Sequence, residues 1–245
     1  MSESVSPPSG IAIGGVIERM QPDPSTRAAR RPLKTRGRAW ARGLAAWLAA
    51  RRVQPNTISL SSLVPAAAAG FCFLLLPHAA PLLQVVLLIA AAGSIQLRLL
   101  ANMLDGLVAV EGGRRTPTGD LFNEVPDRIA DVLILAPAGY AIVWFGSAGI
   151  TLGWLVALLA VLTAYVRVFG GSLGFVQSFA GPMAKQHRMA TLTLACLLSV
   201  VEVLVAGFQG RILFLGLLVI GLGAALTLLR RLQLITRQLQ DRGRR

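Results

Sequence analysis

The chain has 245 residues, of which 54% are hydrophobic and only 14% are charged, and its mean hydropathy is +0.64. Soluble domains of this length carry more charge, so the composition excludes a soluble globular protein. The net charge of +13 is concentrated at the two ends, with ten basic residues before position 57 and six after position 229. That distribution suits anionic lipid headgroups and cytoplasmic membrane flanks better than nucleic acid.

The first fifty residues divide into two predicted segments. Residues 1–32 are rich in Pro, Ser, Gly and Arg and are expected to form a disordered cytoplasmic N-terminus, without a signal peptide. Residues 33–53 predict an amphipathic juxtamembrane helix that lies on the membrane surface. One face of that helix carries Trp40, Leu44, Trp47 and Leu48.

The apolar runs that follow predict an all-α integral membrane protein with six transmembrane helices in residues 54–232. The expected spans are 57–76, 82–104, 120–145, 150–170, 190–208 and 212–230. Basic residues lie at one end of these spans, and residues 233–245 form a basic tail. By the positive-inside rule both termini and that end face the cytoplasm, and a multi-pass protein of a bacterial inner membrane is expected.

A polar stretch, residues 102–131, interrupts the apolar pattern and holds six of the eleven acids in the chain. Asn102 and Asp105 are three apart and share a helix face, and Asn123, Asp127 and Asp131 form a second stripe at intervals of four. A short loop joins the two faces. Carboxylate and amide oxygens brought together in this way favour a hard divalent cation.

This stretch resembles the signature of the CDP-alcohol phosphatidyltransferases, membrane enzymes with six spans. The signature is Asp-x-x-Asp-Gly-x-x-Ala-Arg, eight residues, then Gly-x-x-x-Asp-x-x-x-Asp. Its spacing is kept at Asn102, Asp105, Gly106, Ala109, Val110, Gly119, Asn123 and Asp127. Asparagine replaces two of the four aspartates, and Val110 replaces the arginine. The resemblance covers roughly residues 35–230, including the stretch Pro55-Asn56-Thr57-Ile58-Ser59 before the first span.

The resemblance implies a transferase of phospholipid biosynthesis. Such enzymes move a phosphatidyl group from a CDP-linked lipid, usually CDP-diacylglycerol, to an alcohol and release CMP. It places Asp127 as the general base and implies Mg²⁺ or Mn²⁺ as cofactor. The implied metal ligands are Asn102, Asp105, Asn123 and Asp127, and the implied contacts to CDP are Asn56, Asp105, Gly106, Ala109 and Gly119. A homodimer is also implied.

The departures from the signature leave alternatives open. Asparagine can coordinate a metal but cannot accept a proton as a base, so weaker metal binding or the loss of one of two ions is expected. Glu124 and Asp131 are candidates to compensate. A rival frame takes Asp127 and Asp131 as the last pair, at the cost of a four-residue insertion. An alternative function is a relative that binds CDP-lipid or metal as a regulatory protein without turnover.

A second candidate site lies between the fourth and fifth spans. Arg167, Lys185 and Arg188 are on the same side of the predicted membrane as the signature. In relatives, basic residues of this region hold the acceptor. By that resemblance these three residues are expected to hold the acceptor here, particularly a phosphorylated one. A transporter is disfavoured, because the polar residues gather at one membrane face and not near the midplane.

Overall fold

The computed structural model describes residues 39–111 and 119–244, and every regular element in these two ranges is helical. The helices are α1 (Ala39–Ala50), α2 (Pro55–Ser61), α3 (Leu63–Leu75), α4 (Pro81–Glu111), α5 (Gly119–Tyr140), α6 (Ser147–Ser172), α7 (Lys185–Ala206) and α8 (Arg211–Gly243), with a 3-10 turn at Leu76–His78. The all-α prediction is therefore confirmed for these ranges. The predicted disordered segment and the loop around Arg114 lie outside the described residues.

Five stretches within the described ranges are long and apolar enough to cross a membrane. They are Pro55–His78, Pro81–Ala109, Ser147–Ser172, Lys185–Ala206 and Arg211–Gly243. The chain is therefore a multi-pass helical membrane protein. The remaining predicted span, 120–145, corresponds to α5, which has 22 residues but carries five charged ones. Helix α5 is long enough to cross a membrane, but its charged residues exclude it from the five apolar stretches. That α5 crosses the membrane stays a prediction.

The helices pack in a bundle that gathers the polar residues at one end. Helix α3 contacts α4 and α5, α5 contacts α6, and α7 contacts both α4 and α8. Helices α5 and α6 approach closely, because a Cβ added to Gly153 would lie 2.8 Å from the carbonyl oxygen of Ala136. The packing brings together the end of α4, the start of α5, the end of α6 and the start of α7. We call this the motif end of the bundle.

Helix α1 docks on the motif end of α4. Ala41 and Ala45 are buried in a cluster with Met103, Leu107 and other apolar residues of α4. Trp47, like the nearby Trp40, is about half exposed. The helix predicted over 33–53 is thus present from Ala39 to Ala50, while its position on the membrane surface stays a prediction.

At the opposite end, Glu202 fixes the start of α8. Its carboxylate accepts backbone N–H hydrogen bonds from Gln209 (3.3 Å), Arg211 (3.0 Å) and Ile212 (3.4 Å). The first N–H groups of a helix have no partners inside the helix, so a buried carboxylate there stabilises the helix start. Helix α8 then continues to Gly243, through most of the predicted tail.

Candidate functional site

The signature residues occupy facing positions on α4 and α5 at the motif end. Helical spacing places Arg98, Asn102 and Asp105 on one face of α4, and Asn123, Asp127 and Asp131 on one face of α5. Pro126 lies within the first turns of α5, where its ring leaves the helix without one backbone hydrogen bond. The side chains that meet between the two helices are both acidic and basic.

Asp105 is buried against the short helix α2. The hydroxyl of Ser59 donates a hydrogen bond of 2.6 Å to Asp105 Oδ2. Pro55 at the start of α2 favours the helix, which presents Ser59 to α4. The Asp105 carboxylate also lies within electrostatic range of Asp127 and Lys185. The two acids that keep the signature thus share one region of the structure.

Asp127 is a buried carboxylate with a basic partner on each oxygen. Arg98 Nη2 lies 3.4 Å from Asp127 Oδ1 and also donates to the Asp127 backbone carbonyl at 3.1 Å. Lys185 Nζ, on the first residue of α7, donates to Oδ2, and Arg128 Nη2 lies 3.5 Å from the same oxygen. Three basic side chains from three helices therefore hold the predicted base in place.

Asp131, one helical turn further along, is inaccessible to solvent and bound by two arginines. Its Oδ1 accepts a hydrogen bond from Arg98 Nη2 at 3.1 Å, and its Oδ2 accepts one from Arg188 Nη2 at 2.8 Å. Arg188 is itself buried and also donates to the carbonyl of Met183 at 3.3 Å. This buried group joins α4, α5 and α7, so the structure gives Asp131 a framework position.

Glu124 lies at the rim of the site, half-buried, and pairs with two arginines. Arg167 donates to Glu124 Oε1, and Arg128 Nη2 lies 3.6 Å from Glu124 Oε2. Arg167 also donates to Gln177 at 3.3 Å and stacks over the ring of Phe179. The guanidinium of Arg167 is thus held at the motif end, between α5 and the loop after α6.

The loop between α6 and α7, residues 173–184, is held by the last helix. Arg231 of α8 donates hydrogen bonds to the carbonyls of Ala180 and Thr163, and Arg242 donates to the carbonyl of Leu173 at 3.0 Å. Gly181 has a φ of +121° and packs against Thr227, where a Cβ would not fit. Helix α8 therefore shapes the loop that leads into Lys185. The sequence predicted only a basic tail here.

The other predicted site residues vary in exposure. Half-buried positions are Asn56, Asn102, Gly106, Ala109 and Gly119, and Asn123 is exposed. The Asn102 amide nitrogen is buried without a hydrogen-bond partner. Nothing is described for the side chain of Val110 or for residues 112–118.

The side chains at this site include few charged ligands for a divalent cation. Across residues 39–111 and 119–244, no group of three or more His, Cys, Asp and Glu side chains is placed to hold a metal. The candidate oxygens are the carboxylates of Asp105 and Asp127, which already bind Ser59 and basic side chains, and the amides of Asn102 and Asn123. These are hard donors of the kind Mg²⁺ and Mn²⁺ accept. The unpartnered atom of Asn102 is its amide nitrogen, a hydrogen-bond donor, which suits an anionic oxygen and not a cation. Glu124 and Asp131, predicted to compensate, both have arginine partners instead.

The fold of this chain matches that of a protein of known structure. The chain superposes on Mycobacterium tuberculosis phosphatidylinositol phosphate synthase (PgsA1) with CDP-DAG bound at a TM-score of 0.62 and 18% identity, covering 80% of this chain and 92% of that one. For the same synthase in complex with manganese and citrate, the TM-score is 0.66, again at 18% identity, with coverage of 80% and 88%. At this identity the likeness establishes the fold alone.

Sequence comparison gives one curated relative at significant similarity. It is the inner membrane protein YnbA of Escherichia coli (strain K12), 29% identical over 142 residues. The aligned part covers 58% of this chain and 66% of YnbA, just under two thirds of that protein. No family model matches the chain.

The contacts of Asp131 predict a loss of stability on substitution. Asp131→Asn leaves two buried arginines without their shared carboxylate, so we expect the free energy of unfolding to fall by about 3 kcal/mol. Thermal unfolding of the purified protein in detergent measures this. Glu124→Gln is the matched control, since it removes a half-buried acid that also pairs with two arginines. An Asp131→Asn protein no less stable than Glu124→Gln would contradict the framework position.

Proposed function

We propose that this protein is a membrane enzyme that transfers a phosphatidyl group from a CDP-linked lipid, such as CDP-diacylglycerol, to an alcohol and releases CMP. The main support is the meeting of Asp105 and Asp127, which keep their signature spacing and lie within electrostatic range at one end of the bundle. The fold adds support, because the synthase that shares it was solved with CDP-DAG bound.

In this proposal the donor's nucleotide end binds between α2, α4 and α5. Asn56, Asp105, Gly106, Ala109 and Gly119 contact CDP. The absence of a Cβ at the two glycines allows the backbone to approach the nucleotide. The polar rim of the site then holds the headgroup, while the acyl chains remain in the surrounding lipid.

A divalent cation, Mg²⁺ or Mn²⁺, would be held by Asn102, Asp105, Asn123 and Asp127. When bound, it would supply positive charge that neutralises the donor's pyrophosphate and stabilises the departing phosphate. The signature asparagines contribute carbonyl oxygens without charge, so the site attracts that cation less strongly than four carboxylates would.

The chemistry proposed for Asp127 is proton removal. The acceptor's hydroxyl oxygen forms a bond to the phosphorus on the lipid side of the pyrophosphate. The bond from that phosphorus to the bridging oxygen breaks, and CMP leaves with the electron pair. The hydroxyl proton passes to the Asp127 carboxylate, which its basic neighbours hold in a fixed position. Neither neighbouring asparagine can take that proton.

The acceptor is proposed to bind beside α6 and α7. Arg167, Lys185 and Arg188 were predicted for this task, and we favour Arg167, because Lys185 is bound to Asp127 and Arg188 is buried against Asp131. The side chain of Arg167 is 13% exposed, and that of its partner Glu124 is 32% exposed. The side chain of Arg188 is only 3% exposed and is bound to Asp131. An anionic acceptor could replace Glu124 as the partner of Arg167. Arg188 would then act mainly by fixing the start of α7.

The orientation and assembly of the protein are part of the proposal. Arg167, Lys185, Arg231 and Arg242 all lie at the motif end, whereas Arg211 is at the opposite end. This asymmetry favours a cytoplasmic motif end with both termini on that side, in a bacterial inner membrane. The homodimer implied by the resemblance stays a prediction.

A second function has one observation in its favour. Asp127 has a basic partner on both oxygens, and two signature acids are asparagine, so the site could bind CDP-lipid without turnover. Such a protein would regulate lipid synthesis by holding the donor. The two functions differ in turnover, so an assay of CMP release distinguishes them.

The test of the transferase is CMP release by the purified protein. With CDP-diacylglycerol, Mg²⁺ or Mn²⁺ and a pool of candidate alcohols, we expect metal-dependent CMP that Asp127→Asn reduces at least about a thousandfold, since general-base catalysis contributes factors of this order. Unfolding midpoints and donor binding of the variant serve as controls. A wild-type protein that binds the donor but releases no CMP with any alcohol would support the regulatory function.

The acceptor site predicts a selective kinetic effect at Arg167. Arg167→Gln removes the exposed guanidinium, so we expect the KM for an anionic acceptor to rise roughly tenfold while the KM for CDP-diacylglycerol changes little. Initial rates at varied concentrations of each substrate measure both constants. Arg242→Gln is the control, because Arg242 lies on the same side but contacts Leu173. If the acceptor KM is unchanged in Arg167→Gln, this arginine is not part of the acceptor site.

A further inference from the structure

Lys185 stands out among the basic residues of the motif end because it is bound to the proposed base and can move. It is the first residue of α7 and follows Ala184, whose backbone is extended. Its side chain is 26% exposed, whereas Arg98 on the other oxygen of Asp127 is completely buried. A lysine carries its charge on a flexible four-carbon stem, so the ammonium can shift without moving the helix.

The two oxygens of Asp127 are therefore not equivalent. Oδ1 faces Arg98, which is also tied to Asp131 and to the backbone carbonyl of Asp127. Oδ2 accepts a hydrogen bond from Lys185 and has the more distant Arg128 at 3.5 Å, so a cation that approached this oxygen would meet Lys185. Like charges at contact distance repel more strongly in a partly buried site than in water, so the ammonium and a divalent ion compete for this oxygen.

The charge of the site supports the same conclusion. Asp105 and Asp127 contribute two negative charges, and Asn102 and Asn123 contribute none. Arg98 at Asp127 Oδ1, Arg128 at 3.5 Å from Oδ2 and Lys185 at Oδ2 bring positive charge to one carboxylate, and Lys185 is also within electrostatic range of Asp105. A ligand with the charge of a pyrophosphate would find a cation already in place. A divalent ion would find one carboxylate already neutralised.

We propose that the Lys185 ammonium is a resident cation of the signature site. In the free protein it occupies Asp127 Oδ2 and lowers the affinity of the site for divalent ions. When the donor binds, it transfers to the anionic pyrophosphate and leaves Arg128, at 3.5 Å, as the remaining basic partner of Oδ2. The second half of this proposal rests on the proposed CDP-lipid donor, while the first half concerns the free protein alone.

Two binding measurements that need no turnover test the proposal. The first titrates Mn²⁺ into purified protein without donor and follows free Mn²⁺ by electron paramagnetic resonance. The second measures CDP-diacylglycerol binding in detergent with a chelator present. Lys185→Met removes the charge and keeps the length of the side chain. We expect it to bind Mn²⁺ roughly tenfold or more tightly than wild type and to bind the metal-free donor roughly tenfold less tightly.

Matched variants separate the local effect from general charge. Lys185→Arg keeps a cation and is expected to stay close to wild type in both measurements. Arg167→Met removes an equal charge whose partner is Glu124, so its Mn²⁺ affinity is expected to change less than that of Lys185→Met. Unfolding midpoints establish that each variant is folded, and Lys185→Gln gives a second neutral variant if Lys185→Met is unstable.

The outcomes are distinct from those of the transferase test. Tighter Mn²⁺ binding and weaker donor binding by the neutral variants support the resident cation, even in a protein that releases no CMP. Mn²⁺ affinity that does not rise above wild type, whether or not wild type binds the ion, overturns the proposal. Equal gains in Lys185→Met and Arg167→Met also overturn it, because a general charge effect would then suffice.

Discussion

The arrangement at the motif end depends on the ion pairs of one fully buried arginine. Arg98 on α4 contacts both Asp127 and Asp131 on α5, and Asp131 in turn binds Arg188 on α7. A buried guanidinium without these acids would be strongly unfavourable, and so would the acids without it. The three helices are therefore held in one relative position at the level where the signature residues meet. Because Arg98 also binds Asp131, the Asp127 side chain is held more firmly than a side chain at a helix end that has no ion pair.

The same ion pairs give Asp127 and Asp131 different surroundings. Asp131 is paired with two arginines and closed to solvent, whereas Asp127 Oδ2 is paired with the partly exposed Lys185. In sequence the two were rival candidates for the base, since both continue the same helical stripe. Their surroundings in the structure favour the frame in which the signature ends at Asp127, and that frame carries the proposed function.

Much of the fold could be predicted from the sequence, because long apolar runs and their basic flanks follow from the physics of the bilayer. The helical content was of this kind. The spacing of the polar residues predicted which of them share a helix face, and the structure brings Asp105 within electrostatic range of Asp127. The sequence could not establish how α5 accommodates its charges. Glu124, Asp127 and Asp131 pair with basic residues on other helices, whereas Arg128 pairs with Glu124 and Asp127 on α5 itself. Nor could the sequence indicate that Ser59 binds Asp105, that Arg231 and Arg242 hold the loop before α7, or that Lys185 lies on Asp127. Those contacts join residues 46 to 69 positions apart, which no local pattern reports.

Product analysis tests the central claim, phosphatidyl transfer from a CDP-lipid to an alcohol, most directly. The purified protein would be incubated with CDP-diacylglycerol, a divalent cation and each alcohol separately, and the lipid and nucleotide products would be quantified by mass spectrometry. The account predicts a phosphatidyl lipid containing one of the alcohols, formed in equal amount with CMP. Unchanged CDP-diacylglycerol with every alcohol, or CMP accompanied only by phosphatidic acid, would contradict it.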